Sequence, residues 1–111
     1  MAKMGTLALL DSDGNEYSFD IYPFGTKFKA ISTIYYISKR TKDKDDSGHS
    51  HSHIYIGQTS DIAERFENHH KAECFTKNKA NCISIHQVKK ESERLKIEKA
   101  LIEEYSPVCN G

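Results

Sequence analysis

The chain has 111 residues, with 16 lysines and arginines balanced by 16 aspartates and glutamates and a formal net charge of zero. That length suits one compact domain, able to bury a core without disulfides or a structural metal. A 37% hydrophobic content is ordinary for a globular protein, no apolar run reaches the ~20 residues of a membrane span, and electroneutrality argues against a strongly basic, non-specific nucleic-acid binder.

The neutral total hides an uneven distribution. Residues 61–90 carry six positive and four negative side chains, whereas residues 91–111 carry three and five. A basic middle therefore precedes an acidic end. The start, Met-Ala-Lys-Met-Gly-Thr, lacks the charged-then-apolar pattern of a secretory leader. Cys74, Cys82 and Cys109 are three in number and fit no closed disulfide framework. Reduced thiols and no export signal predict a cytoplasmic protein. With His86 the cysteines could ligate zinc, but their spacing matches no zinc module, and buried free cysteine is the commoner state.

In chain order, Thr6–Leu10 and Glu16–Ile21 read as a hairpin around Ser12-Asp13-Gly14-Asn15, where Gly and Asn tolerate positive φ. Pro23 and Gly25 end it. Ile31–Ser38, rich in β-branched and aromatic residues, predicts a strand. Lys39–Ser52 is polar, lacks apolar periodicity and reads as a long loop. His53–Gly57 is a second core strand, with Gly57 ending it or admitting another backbone. Thr59 or Ser60 then N-caps a helix over about Ile62–Glu73, with Asp61 near the positive end of its dipole. Ile62 and Phe66 form its apolar stripe, and Arg65 and His69 lie four apart on one edge. Thr76–Asn81 is a loop and Cys82–Val88 a third strand. Ser92–Tyr105 is an amphipathic helix stopped by Ser106-Pro107. Leu95, Ile97, Leu101, Ile102 and Tyr105 share its apolar face; Arg94 also falls there, but in the first turn, where it can reach out. The predicted fold is α/β (α+β): a small, mainly antiparallel three-stranded sheet flanked by helices and extended by an N-terminal β-hairpin. Residues 1–31 form that extension and residues 32–111 the main unit of one domain.

Glu98 stands out, because it falls in the middle of the apolar helix face. A carboxylate there is costly unless paired, protonated or bound to a metal. The simplest account is an ion pair with Arg65, Arg94 or a lysine. The run His49-Ser50-His51-Ser52-His53 points all three imidazoles one way in an extended chain and could hold Zn²⁺ or Ni²⁺. A polar loop carrying chance histidines is the plainer reading.

Thr33-Ile34-Tyr35 and Tyr55-Ile56-Gly57 place tyrosines on two neighbouring strands. Arg65 follows ten residues after Tyr55, His69 lies one turn further, Glu98 sits on a later helix, and Asn110 follows Pro107. This order resembles the GIY-YIG nuclease superfamily over roughly Ser32 to Asn110. The resemblance implies an endonuclease that hydrolyses phosphodiester bonds in DNA with one Mg²⁺ or Mn²⁺ ion. Glu98 would be the metal ligand, Arg65 would hold the scissile phosphate, Tyr35 and Tyr55 would line the water and phosphate, His69 would occupy a position often His or Tyr, and Asn110 would stabilise the site by hydrogen bonding.

Residue chemistry agrees with that assignment. Phosphodiester hydrolysis needs a metal to polarise the phosphate, a guanidinium for the growing charge, and an acceptor for the water's proton. A tyrosine with pKa near ~10 is a poor acceptor, but Arg65 and a cation would both favour its phenolate. Three departures accompany the resemblance. Thr33 replaces the first glycine, Tyr35 and Tyr55 are about ten residues further apart than is typical of the family, and the first 30 residues lie outside the match. A catalytically weak nucleic-acid or protein-binding module on the same scaffold is the alternative. Branched or damaged DNA are candidate substrates, and a homodimer or partner protein could supply targeting.

Overall fold

The computed structural model describes residues 3–42, 48–65 and 69–110. Phe66, the middle of the expected loop and the side chain of His49 lie outside the described residues. Among the described residues eight elements follow in order: β1 Gly5–Leu10, β2 Glu16–Pro23, β3 Thr33–Lys42, β4 His49–Thr59, α1 Ile62–Arg65, α2 Ala72–Lys77, β5 Cys82–Gln87 and α3 Glu91–Tyr105. The strands form one antiparallel sheet in the order β1-β2-β5-β3-β4. The fold is therefore α+β, with the three expected core strands widened to five by the N-terminal hairpin. Its turn is held by Asp11, whose carboxylate accepts from the Asp13 and Asn15 backbone N–H groups and from the Asn15 amide and Tyr17 hydroxyl.

Alternation along the central strand β3 builds two apolar layers. Tyr35 and Ile37 join Tyr55, Ile62, Phe75, Ile83 and Ile85 on one face. Ile34 and Tyr36 join Phe19, Ile56 and Leu101 on the other, beneath α3. Ile37 pairs with Tyr55 while Ser38 pairs with His53, so Ile54 is an extra residue, a β-bulge. The bulge puts Ile54 and Tyr55 into the first layer and sends His53 to the second, where its Nδ1 meets the Tyr36 hydroxyl at 2.6 Å.

Four expectations are corrected. Lys39–Ser52 is not one long loop: β3 runs to Lys42 and β4 starts at His49, paired residue by residue. Apolar periodicity reports burial, and this arm is polar because it is half-exposed to exposed; its alternating His-Ser run suits a strand, with Ser38 Oγ and His51 Nδ1 2.8 Å apart. The helix expected over about Ile62–Glu73 is not continuous among the described residues: Ile62–Arg65 is helical, His69–Lys71 is not, and a second helix starts at Ala72. His69 Nδ1 accepts the Lys71 backbone N–H at 3.0 Å, a local bond that competes with helix continuation. The N-cap of α1 is Asp61, which accepts from the Ala63 and Glu64 N–H groups, while Thr59 instead accepts from Asp61. On α3, Leu95 is 46% exposed and Arg94 is 3% exposed, reversing the expected assignment.

Arg94 goes inward because its fork has fixed acceptors. Its Nε donates to Gln58 Oε1 at 3.0 Å, and its Nη1 donates to the carbonyls of Val88 and Lys89 at 3.0 and 2.7 Å. The thiol reading is also overturned: Cys74 and Cys109 are joined in a disulfide, and Cys82 is a buried free thiol. The zinc grouping is thereby removed, and His86 instead meets the Ser18 carbonyl at 2.9 Å. The disulfide ties α2 to the last residues of the chain. Those residues cover the outer edge of β4: Cys109 N donates to Ile54 O, and the Asn110 side chain accepts from Ile56 N and donates to Ile56 O, both at 2.9 Å. An edge strand is thus closed by backbone and amide partners instead of lying open. Among the described residues no helix is long and apolar enough to cross a membrane.

Candidate active site

Tyr35 and Tyr55 come from adjacent strands and face the same layer, their ring centroids 5.8 Å apart. Gly57 pairs with Tyr35 across the β3–β4 ladder. A Cβ built on Gly57 would lie 2.5 Å from Tyr35 Cζ and Oη and 2.8 Å from Tyr55 Cε2. Gly57 therefore neither ends the strand nor admits a backbone. It admits two phenol rings.

His69, only 7% exposed, stands edge-on to both tyrosines and brings its Nε2 2.7 Å from the Tyr35 hydroxyl. Its Nδ1 already accepts the Lys71 N–H, so the neutral ring carries its proton on Nε2 and donates to Tyr35. Arg65, on α1, is exposed; it donates from Nε to the same hydroxyl oxygen at 3.5 Å and is also hydrogen-bonded to Tyr55. With two donors directed at its oxygen, Tyr35 can direct its own proton onward to Tyr55, with which it is hydrogen-bonded.

Burial dominates the proton affinities here. It pushes the Tyr35 phenol well above its ordinary value, against the pull of Arg65, and raises Tyr55 in the same direction. Arg65 thus acts with the expected sign but does not by itself yield a phenolate. Burial lowers His69 to about 4, helped by the charges of His70, Arg65 and Lys71. His69 is therefore a neutral donor at pH 7.

Glu98 is half-buried on α3, and among the described residues it makes no ion pair. Burial raises its pKa, offset by a hydrogen bond from the Gln58 backbone N–H and by the charge of Arg65. It also acts electrostatically on Tyr55. Among the described residues the ion-pair account of Glu98 is not met: no lysine pairs with it, Arg94 is held by neutral oxygens and Arg65 by the tyrosines. Gln58 was not singled out from the sequence, although it follows Tyr55-Ile56-Gly57 directly; its backbone serves Glu98 while its side chain takes Arg94. Asn110 stands one step back, clamping Ile56 beside Tyr55. The tyrosines, Arg65 and His69 are thus in mutual contact, and Glu98 is coupled to them through charge. His51 and His53 are on the opposite face of the sheet and take no part.

Comparison with curated proteins and with solved structures returns no match. Residues 31–111 match the family model of the GIY-YIG catalytic domain, so the chain belongs to the GIY-YIG nuclease superfamily.

Proposed function

We propose that the chain is a divalent-metal-dependent endonuclease that hydrolyses phosphodiester bonds in DNA at a single metal site. The observation that carries this reading is Glu98: a half-buried carboxylate without an ion-pair partner among the described residues, within electrostatic reach of Arg65 and Tyr55. A hard cation fits such a group. Mg²⁺ is often held by one or two carboxylates while keeping several waters, and no larger cluster of metal-binding side chains occurs among the described residues. Glu98 would hold Mg²⁺ or Mn²⁺, which when bound supplies positive charge to the phosphate and acidifies water.

The protein's own groups supply the remainder. The exposed Arg65 binds the scissile phosphate and meets the charge that builds on its oxygens. The Tyr35–Tyr55 pair must first release one phenolic proton to solvent, a loss that the charges of Arg65 and a bound cation favour; the resulting phenolate then accepts the proton of the attacking water. Negative charge on either oxygen is met by Arg65 and by the other phenol, and on Tyr35 also by His69 Nε2–H. Asn110 and Gly57 hold the tyrosines in place.

The test is cleavage of supercoiled plasmid, branched DNA and RNA with Mg²⁺ or Mn²⁺. Glu98→Ala and Arg65→Ala should each lower the rate by about 10²- to 10³-fold. Wild type and both variants behaving alike on every substrate refutes the proposal; retained DNA binding would then favour a catalytically weak binding module. Electroneutrality predicts weak non-specific affinity, so a partner chain or a second copy is proposed to supply targeting. The expectation of a cytoplasmic setting rested on reduced thiols and on the lack of an export signal, and the Cys74–Cys109 bond removes the first of these supports.

A further inference from the structure

A groove of about 800 Å³ opens beside the tyrosine site. Its outer wall is the β2–β3 connection, which brings Phe24, Lys27 and Phe28; its inner wall includes Ile62, Phe75 and His69. This connection belongs to the N-terminal segment that precedes residues 31–111. Three properties of the groove narrow its occupant. The lining is apolar and aromatic: Phe24 keeps 37% of its surface exposed while standing edge-on over Phe75, at 6.0 Å between centroids. The rim carries a cation: Lys27 lines the groove and is exposed, and among the described residues no carboxylate lines it. The groove is also continuous with the proposed phosphate site, because the His69 that forms its wall donates to the Tyr35 hydroxyl that Arg65 also contacts.

An aromatic face with a lysine at its border is the chemistry that receives a nucleobase while its phosphate meets the cation. We propose that this groove is a subsite for an unstacked base next to the scissile phosphate, with Phe24 as its stacking platform and Lys27 at the adjoining backbone. The inference rests on the nuclease reading and narrows it. A base inside a continuous duplex cannot reach such a groove without leaving its stack, so the substrate class is a strand with an unpaired nucleotide at the cleavage point, as in single strands, flaps and junctions.

The experiment separates binding from cleavage. Binding is measured in EDTA, by fluorescence anisotropy with a labelled single-stranded oligodeoxynucleotide and with a duplex of the same length. A second single-stranded probe carries the fluorescent base 2-aminopurine, which is quenched on stacking. Phe24→Ala should weaken single-strand binding by about 5- to 100-fold and restore the fluorescence. Lys27→Glu, at an exposed side chain outside the core, should weaken it without a change in thermal midpoint, so the subsite remains testable even where Phe24→Ala fails to fold. Lys99→Ala, on the exposed side of α3, should change nothing. Equal binding of single strand and duplex by wild type, with no effect of Phe24→Ala or Lys27→Glu, overturns the subsite; Glu98-dependent cleavage in the same preparation would show that the nuclease reading survives it. Single-strand binding that depends on Phe24 and Lys27, with no cleavage under any metal, keeps the subsite and refutes the nuclease reading.

Discussion

Gly57→Ala would set a methyl carbon 2.5 Å from Tyr35 Cζ and Oη and 2.8 Å from Tyr55 Cε2. Ordinary carbon contacts begin at 3.4 Å, so the Tyr35 ring must retreat by about 1 Å, and Tyr55 by somewhat less. Tyr35 is fully buried and has His69 against it, so its retreat must displace packed neighbours. Overpacking of this kind costs about 1–3 kcal/mol. The loss of glycine's freedom in the unfolded chain works the other way, by about 0.4–1 kcal/mol. The net expectation is about 1–2 kcal/mol of destabilisation, which lowers the thermal midpoint by roughly 5–10 °C for a domain near this size. The chemistry should suffer more than the fold, because a displacement of about 1 Å can cost 10²-fold in rate. Circular dichroism melting gives the first quantity and plasmid cleavage at a temperature where both proteins are folded gives the second. A midpoint equal to or above wild type, together with cleavage within about two-fold, would refute the claim that Gly57 is there to seat the two phenols.

Arg94→Met keeps the bulk but abandons the Val88 and Lys89 carbonyls and Gln58 Oε1; urea denaturation should show a loss of about 2–4 kcal/mol, and Arg94→Lys should not restore it, since an ammonium cannot reproduce the fork. Reduction of Cys74–Cys109, which closes a loop of 35 residues, should lower stability by up to about 4 kcal/mol; an unchanged denaturation midpoint in dithiothreitol would mean that the bond does not constrain the chain. His69 is lowered to about 4 in the fold, so the unfolded chain takes up this proton first and the contribution of His69 to stability is lost as pH falls from about 6.5 to 4. Glu98, raised by burial, works in the opposite sense near the foot of that window, so the comparison that isolates His69 is wild type against His69→Gln; parallel midpoint-versus-pH curves would refute the assignment.

Much of this molecule could be read before its coordinates. The hairpin was legible because Asp13-Gly14-Asn15 and the alternating Tyr17, Phe19 and Ile21 report local geometry and burial together. Tyr35, Tyr55, Arg65 and Glu98 were legible because a fixed order of chemically distinctive residues survives changes of loop length. What escaped depended on partners distant in sequence. Arg94 read as an outward charge, since nothing local announces that Gln58 and two carbonyls await it. Leu95 read as core because a wheel gives the apolar sector but not how much of it α3 buries. The Cys74–Cys109 bond depended on α2 meeting the chain's last turn. The polar arm of β3 and β4 was invisible to a search for apolar alternation, because its strands are held by backbone pairing.

The extra residue at Ile54 changes the parity of β4. From Tyr55 onward, odd positions look toward the tyrosine site; before it, His53 and His51 look toward the opposite layer. The two ends of the strand are therefore phased independently. A peptide inserted or removed between Lys42 and His49 alters the reach of the arm, yet the pairing from Thr33–Thr59 to Ile37–Tyr55 keeps its own count and continues to aim Tyr55. The hairpin is thus a modular handle on a chemically fixed base, and it is the place where a reporter or a recognition sequence can be grafted without re-aiming the tyrosines.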